Sequence, residues 1–161
     1  MAESFSTQID AAIEDTLTSY LRAFLKLAGE SATPQYGFDP MGPQGQQCPF
    51  IGIYGGDGTK LWGSAGTTTS AGYTAWSYDY NVWAFVIDKD SETSAQKAKR
   101  WADAMRACIE KYYTLGAVVA DTEVGEMQTS VGVEYVGGVM QAAGFSLTVT
   151  LGRAGQTVLI A

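Results

Sequence analysis

The sequence predicts an α+β fold, with two helices packed on one face of a mainly antiparallel β-sheet. Two segments show a helical spacing of apolar residues, and the segments that follow each of them alternate between the two faces of a strand. The order is therefore a helix, two or three strands, a second helix, and three or four strands, which is typical of α+β domains. A chain of 161 residues fits one domain, residues 1–161, with a single hydrophobic core.

The first helix is predicted from Thr7 to Ala28. Its apolar residues recur at spacings of three and four: Ile9, Ile13, Leu17, Tyr20, Leu21, Phe24 and Leu27. Ser6 suits the N-cap position and Gly29 suits the position after the last turn. The next segment, residues 30–49, holds all four prolines of the chain and predicts an extended loop.

A β-hairpin is predicted after this loop. "FIGIYGG", residues 50–56, is a short strand that ends at glycine, and the Gly- and Thr-rich segment 57–72 predicts the turn and arm of the hairpin. The stretch "YTAWSYDYNVWAFVID", residues 73–88, is the clearest strand. It is polar on one face at its start and apolar on both faces at its end, which predicts a course into the centre of the sheet.

The second helix is predicted from Thr93 to Tyr113, with Asp90 or Ser91 as its N-cap. Its apolar stripe comprises Ala98, Ala102, Met105, Ile109 and Tyr112. The remaining sequence predicts strands in "AVVADTEVGE", "QTSVGVEYV", "VMQAAGFSLTVTLG" and a short terminal "QTVLI".

Composition narrows the possible functions. The formal charge of −7 and a pI near 4.4 disfavour a broad basic surface for nucleic acid. The absence of histidine removes the commonest general base and zinc ligand. Cys48 and Cys108 lie far apart without a CxxC spacing and are predicted to be small buried thiols. The acidic N-terminus predicts neither a secretory signal nor a membrane anchor, so the expected place of synthesis is the cytoplasm.

The acidic residues of "VIDKDSETSAQKAKR", residues 86–100, have two interpretations. Asp88 and Asp90 form a D-x-D pair, which in some transferases binds a divalent metal, so a small metal-dependent enzyme is one alternative. An EF-hand loop is excluded, because its sixth and twelfth positions would be Thr93 and Lys99 instead of Gly and Glu. The other interpretation places Asp88, Asp90 and Glu92 at the N-terminal end of a helix dipole, with one of them capping the helix.

Two further motifs are better explained by structure. "YGGDGTK", residues 54–60, lacks the helix that must follow the lysine of a phosphate-binding loop, and it predicts a hairpin turn. Glu123 and Glu126 are a possible acid–base pair, but their strand-and-turn setting predicts side chains exposed at a sheet edge. The sequence therefore predicts no catalytic, cofactor-binding or metal-binding residues.

Charge is segregated along the chain. Five basic and two acidic residues between Gln96 and Lys111 give a local charge of +3, against −7 for the whole chain and hence −10 for the remainder. Such a helix is either a solvated face or a basic surface that docks on an acidic surface of another copy. The candidate subunit-interface residues are Lys97, Lys99, Arg100 and Arg106 on the helix, with Asp57 and Trp62 in the segment 57–72.

Aromatic residues concentrate around the predicted hairpin. They are Trp62, Tyr73, Trp76, Tyr78, Tyr80 and Trp83. This is more aromatic surface than one covered face of a sheet requires, and it predicts that part of it contacts another protein.

The stretch from Tyr73 to Val119, a strand that leads through an acidic turn into an Ala-rich helix with basic residues, resembles the tail terminator and tail completion proteins of long-tailed bacteriophages. An N-terminal helix and a hairpin precede it, as in that family. The resemblance lies in the order of elements over most of the chain and in no invariant motif. It extends to neighbouring head–tail joining proteins.

The resemblance implies a structural virion protein without enzymatic activity or cofactor. Such a subunit assembles into a homo-hexameric ring on the last ring of tail-tube protein, ends tail growth and meets the head–tail connector, while DNA passes the lumen without specific binding. A connector adaptor or stopper protein of the neck is the alternative within the same particle. The segments 30–49 and 57–72 are longer than the order of helices and strands in that family requires, and their length suits contacts with neighbouring rings.

Overall fold

The computed structural model describes residues 5–25, 35–37, 49–63, 74–130, 132–135 and 138–151. These residues form two helices and six strands in the order that the α+β prediction requires. In chain order the elements are α1 (Phe5–Phe24), β1 (Gln35–Gly37), β2 (Phe50–Gly63), β3 (Thr74–Asp88), α2 (Ser91–Lys111), β4 (Asp121–Thr129), β5 (Val133–Tyr135) and β6 (Gly138–Leu151).

The strands form one mixed sheet with the order β1-β2-β3-β6-β4, and β5 pairs with β6 beyond the end of β4. The β1–β2 pair is parallel and every other pair is antiparallel, so the prediction of a mainly antiparallel sheet is confirmed. β3 pairs with β2 on one side and β6 on the other. The central position that its two apolar faces predict is therefore confirmed.

Both helices pack on the same face of the sheet. On β3 this face carries Tyr78, Tyr80, Val82, Ala84 and Val86, all of which are buried with residues of α1 and α2 in one cluster. The cross-strand register places alternate residues of β6 from Ala143 to Leu151 on the same face. Burial of these side chains against the helices supplies the main stabilisation of the fold.

The two helices run side by side in the same direction. The Cys108 thiol donates to the Thr16 carbonyl at 3.9 Å, and four residues further along each helix the rings of Tyr20 and Tyr112 stack with centroids 4.0 Å apart. An equal step of four residues on both helices requires parallel axes, because antiparallel helices would pair rising numbers with falling ones. The C-terminal ends of α1 and α2 therefore lie together.

Both helices differ from their predicted bounds by a few residues. α1 begins at Phe5, so Ser6 lies inside the helix instead of capping it, and its last helical hydrogen bond runs from the Leu25 amide to Leu21. α2 spans Ser91–Lys111 and ends where Tyr112 leaves helical geometry at φ −107° and ψ 49°. Apolar periodicity locates a buried face, but end turns depend on local capping and tertiary contacts. Residues 26–29, with the predicted end of the first helix, lie outside the described part of the chain.

The hairpin differs more from its prediction. β2 does not end at the glycines but continues to Gly63, so Asp57 and Trp62 belong to a strand and not to a turn. Register shifts between Gly55 and Asp57 and between Lys60 and Trp62 absorb the irregular sequence, and Gly55 and Gly56 adopt φ of 101° and 102°. Pairing with β3 along its length overrides the low strand propensity of glycine. Residues 64–73 lie outside the described ranges.

The predicted loop 30–49 contains a short strand. Gln35, Tyr36 and Gly37 pair in parallel with Phe50, Ile51 and Gly52, which the sequence pattern did not indicate. Three residues are too few to show an alternation, and the pairing is decided by the neighbouring strand. The remaining residues of that segment other than Pro49, with Cys48 among them, fall outside the described residues, as does the predicted terminal strand "QTVLI".

Candidate functional site

The acidic turn between β3 and α2 is a helix cap. Asp90 has extended geometry, at φ −140° and ψ 164°, and its carboxylate accepts from the Thr93 amide at 2.7 Å. This confirms the N-cap that the sequence predicts. The Thr93 hydrogen bonds hold the pKa of Asp90 below its usual range, because they favour the charged carboxylate.

The Asp88 carboxylate also has partners within the protein. Its carboxylate forms an ion pair with the Lys97 ammonium at 2.5 Å and accepts from the Lys89 amide at 2.7 Å. The hydrogen bond from Lys97, followed by that from Lys89, lowers the pKa of Asp88. Within the part of the chain that the structure describes, no group of three or more His, Cys, Asp or Glu side chains is arranged to hold a metal ion. Both carboxylates of the D-x-D pair therefore hold the strand-to-helix junction together.

The basic residues of α2 do not lie on one face. Lys99 and Arg106 are seven residues apart, about two turns, and lie on one flank of the helix, whereas Lys97 and Arg100 lie on the other. Between the flanks runs an exposed line of Glu92, Asp103 and Glu110. Arg106 approaches Asp103 at 3.8 Å, and Lys97 is bound to Asp88. The four predicted interface cations thus form two groups separated by acidic side chains.

The sheet face opposite the helices, here called the open face, has an apolar half. It is formed by Phe50, Trp83, Phe85, Ile87 and Met140 on three adjacent strands. Phe50 and Met140 are buried, whereas the three residues of β3 are each half-buried, and the rings of Phe50 and Phe85 lie 6.2 Å apart at 56°. The core cluster that the two helices form with the sheet lies on the other face and includes none of these five residues.

The other half of the open face is acidic. The register aligns Asp57 on β2 with Asp79 on β3, Thr148 on β6 and Glu123 on β4, in one row across the sheet. Asp121 occupies the next row, and all four carboxylates are exposed. Thr148 donates to Asp79 at 3.2 Å, and no Lys or Arg side chain lies on the described open face. Like charges opposite each other on neighbouring strands destabilise a sheet unless an external cation or a basic surface compensates them.

A second exposed surface lies where the two helices end. Three large apolar side chains among the described residues are exposed. The exposed fractions are 44% for Tyr20, 49% for Tyr113 and 37% for Val118. Tyr20 stacks on Tyr112, and this ring lies 5.8 Å from the Lys111 ammonium. Tyr20, Tyr112, Tyr113 and Val118 are here called the tyrosine patch. Exposed tyrosines that cluster in this way are typical of protein–protein contacts.

The turn after α2 holds this patch in a strained conformation. Leu115, Gly116 and Ala117 adopt φ of 48°, 72° and 67°, values that non-glycine residues rarely adopt. Leu115 is buried and its amide donates to the Tyr112 carbonyl at 2.9 Å, while the Val119 amide donates to Thr114 at 3.1 Å. The buried Leu115 side chain and these two hydrogen bonds therefore fix the backbone that carries Tyr113 and Val118.

A buried polar pair lies beneath α1. The Tyr80 hydroxyl, on a side chain that is 1% exposed, donates to the Asp10 carboxylate. Burial raises the pKa of Asp10, and the Tyr80 hydrogen bond opposes part of that rise. Burial and the neighbouring Asp10 charge raise the pKa of Tyr80. Cys108 is fully buried, as predicted, and burial raises the pKa of its thiol to about 11, so this cysteine is an unreactive core residue.

The structure separates the predicted site residues. Asp57 belongs to the acidic half of the open face, and the side chain of Trp62 lies outside the description. Glu123 and Glu126 are exposed on the edge strand β4, as predicted. The tyrosine patch was missed. Its only sequence signal was Tyr20 and Tyr112 at the ends of two apolar stripes, which is also the signal of a core residue.

The two-layer arrangement of helices on a mixed sheet defines the class as an α+β protein. Compared with known protein families, the chain matches no family model, and no curated protein matches it significantly. Among the described residues, no helix is long and apolar enough to cross a membrane.

Proposed function

We propose that this chain is a structural virion protein that forms a homo-hexameric ring at the head-proximal end of a phage tail, ends growth of the tail tube and joins the tail to the head connector. The observation that carries the proposal is the path from β3 through the capped acidic turn into α2, preceded by α1 and the β2–β3 hairpin. This is the element order of the terminator and completion proteins that the sequence resembles.

The charge distribution supports a function without specific DNA binding. Asp57, Asp79, Asp121 and Glu123 form an acidic surface on the open face, on which the structure shows no basic side chain among the described residues. An acidic surface repels the phosphate backbone, so this face disfavours a nucleic-acid-binding function.

The metal-dependent enzyme is the weaker alternative because Asp88 and Asp90 already have partners. An ion pair with Lys97 occupies Asp88, and the amide of Thr93 occupies Asp90. A metal ion would have to displace these contacts and uncap α2. A neck adaptor or stopper would have the same chemistry as a terminator and would differ in its place in the particle.

The test is to determine the stoichiometry of the isolated full chain by native mass spectrometry and its place in tailed particles by electron microscopy with a labelled chain. We expect a six-membered ring between the tail tube and the connector. A chain that remains monomeric and does not enter the particles contradicts the proposal. A ring on the connector side of the joint indicates the adaptor instead.

A further inference from the structure

We propose that the tyrosine patch of one copy docks on the open sheet face of the next copy, so that copies associate head to tail. This interface rests on the ring-forming function for its biological role, but its test does not depend on that role. Three features support it: the partly exposed apolar side chains of the two surfaces, the charges beside them and their places in the fold.

Each surface has apolar side chains that keep some contact with water. On one side are Tyr20, Tyr113 and Val118, each more than a third exposed. On the other are Trp83 and Phe85, half-buried on the sheet face opposite the core cluster. Apolar groups of this size gain free energy when they leave water together, and tyrosine adds a hydroxyl that can bond to polar groups at the rim.

A cation beside one surface matches carboxylates on the other. Lys111 lies in the last turn of α2 beside the tyrosine patch, where its ammonium is 5.8 Å from the centre of the Tyr112 ring, and Glu110 is the nearby acid. The open face carries four exposed carboxylates and no described Lys or Arg. Charge complementarity of this kind selects the partner and orients the encounter, and it also relieves the repulsion between the aligned Asp57 and Asp79.

The fold prevents the two surfaces from meeting within one copy. The tyrosine patch lies in the helix layer, where Tyr112 stacks on Tyr20, whereas the open face lies on the other side of the sheet. Contact between them therefore requires a second molecule. Because each copy uses two different surfaces, the contact is heterologous and closes into a ring if the rotation between copies allows it.

This interface makes a different prediction from the helix-face hypothesis. The hypothesis from the sequence, here called the helix-face hypothesis, assigns the contact to Lys97, Lys99, Arg100 and Arg106 of α2. In the present proposal the contributing cation is Lys111, and Lys99 lies on a flank of α2 away from the patch. Lys111→Glu and Lys99→Glu are therefore a matched pair, with the same charge change on exposed residues of the same helix.

The experiment is sedimentation velocity of the full chain over a concentration series, at about 50 mM and about 300 mM salt. We expect the wild type to self-associate more weakly at the higher salt, because screening reduces the attraction between the charged rims. We expect Tyr113→Ser to raise the dissociation constant about tenfold or more, as for other central interface tyrosines. Lys111→Glu should weaken association several-fold, and Lys99→Glu should leave it within about twofold.

A charge exchange tests the pairing of the two surfaces. Asp79→Lys alone should weaken association, and combined with Lys111→Glu it should restore part of what each change loses, because the attraction is rebuilt with reversed signs. Circular dichroism and thermal melting of each variant establish that the exposed substitutions leave the fold intact.

The outcomes separate this interface from the proposed function. A wild-type chain that stays monomeric throughout the series overturns the interface, and so does self-association that Tyr113→Ser leaves unchanged. If Lys99→Glu weakens association as much as Lys111→Glu does, the helix-face hypothesis replaces it. If the patch variants disrupt association but the assembled copies never occur in tailed particles, the interface stands and the virion function fails.

Discussion

The two faces of the same sheet differ in how completely the protein covers them. On β3, Tyr80, Val82 and Ala84 point under the helices and are at most 1% exposed, while their neighbours Trp83 and Phe85 point the other way and are half-buried. The covered face holds one continuous core, whereas the open face is divided into an apolar and an acidic half. One strand thus provides both the folding core and a candidate contact surface.

This difference separates stability from assembly. Side chains on the covered face lose all contact with water when the chain folds, so their truncation should reduce the free energy of unfolding. Trp83, Phe85 and Ile87 on the open face stay partly exposed, so their truncation should reduce stability less and, if the proposed interface forms, should mainly affect association.

Two phenylalanines give the most direct comparison. Phe145 on β6 faces the helices and is 1% exposed, whereas Phe85 on β3 lies half-buried on the open face. We expect Phe145→Ala to lower the free energy of unfolding by about 3–5 kcal/mol, as for other buried aromatic residues, and Phe85→Ala to lower it by about half as much or less. Urea denaturation measures both. Equal losses would show that the open face is as fully packed as the core.

Gly144 is a position on the open face where a larger side chain does not fit. A Cβ at this position would lie 2.8 Å from both Cα and Cγ of Trp83 and against the Val82 carbonyl, because the indole packs across the strand onto the glycine. We expect Gly144→Ala to cost about 1–3 kcal/mol in unfolding free energy, as for other overpacked sites. Ser146→Ala, on the same strand and face, is the control and should cost less than about 0.5 kcal/mol. The cost should appear in urea denaturation and as a change in Trp fluorescence.

The buried pair beneath α1 should make stability depend on pH. The pKa of Asp10 is raised above 3.8 by burial, so the contribution of this residue to stability is greatest below that pH and falls as the pH rises through its folded-state pKa. Tyr80→Phe removes the hydrogen bond that opposes this rise, and we expect it to cost about 1 kcal/mol at pH 7 and less at pH 4. Urea denaturation at both pH values measures the difference.

Asp10→Asn is the control for this pH effect, because the amide accepts the Tyr80 hydrogen bond and does not ionise. Its stability should vary less with pH between 4 and 7 than that of the wild type. If the stability of the wild type relative to Asp10→Asn does not fall from pH 4 to pH 7, burial does not control the ionisation of Asp10.

The acidic turn should have the smallest effect. Asp88→Asn breaks the ion pair with the partly exposed Lys97, and we expect a loss of about 0.5 kcal/mol or less. Its pKa is lowered, so its contribution is present above the unfolded value of 3.8 and is lost as the pH falls through the folded value. Mg²⁺ or Mn²⁺ should produce no saturable rise in melting temperature. A saturable rise that Asp88→Asn abolishes would support the metal-dependent enzyme instead.

The fold could be predicted from the sequence where the pattern is long and regular. The alternation from Trp76 to Val86 predicted both the central strand and its two faces, and the spacing of Ala98, Ala102 and Met105 predicted the buried side of α2. The N-cap at Asp90 followed from local chemistry alone. The strand 35–37 and the continuation of β2 past Gly56 could not be predicted, because pairing with a distant segment decides them.

The candidate site was predicted less well, because charge along the chain does not show on which side of a helix each residue lies. The helix was expected to present Lys97, Lys99, Arg100 and Arg106 together, but helical geometry distributes them over two flanks around Glu92, Asp103 and Glu110. The row of carboxylates combines Asp57 of β2, Asp79 of β3 and Glu123 of β4, the first and last of which are 66 positions apart in the chain. Only strand pairing brings them together.

By itself, the sequence determined the class of fold, the central strand and the helix that follows it, because hydrophobic periodicity and capping act between neighbouring residues. Tertiary structure decided which residues share a surface. The tyrosine patch exists because α1 and α2 run in the same direction and end side by side, and the open face exists because both helices pack on the same side of the sheet. Both arrangements depend on contacts between segments far apart in the chain, which no local pattern specifies.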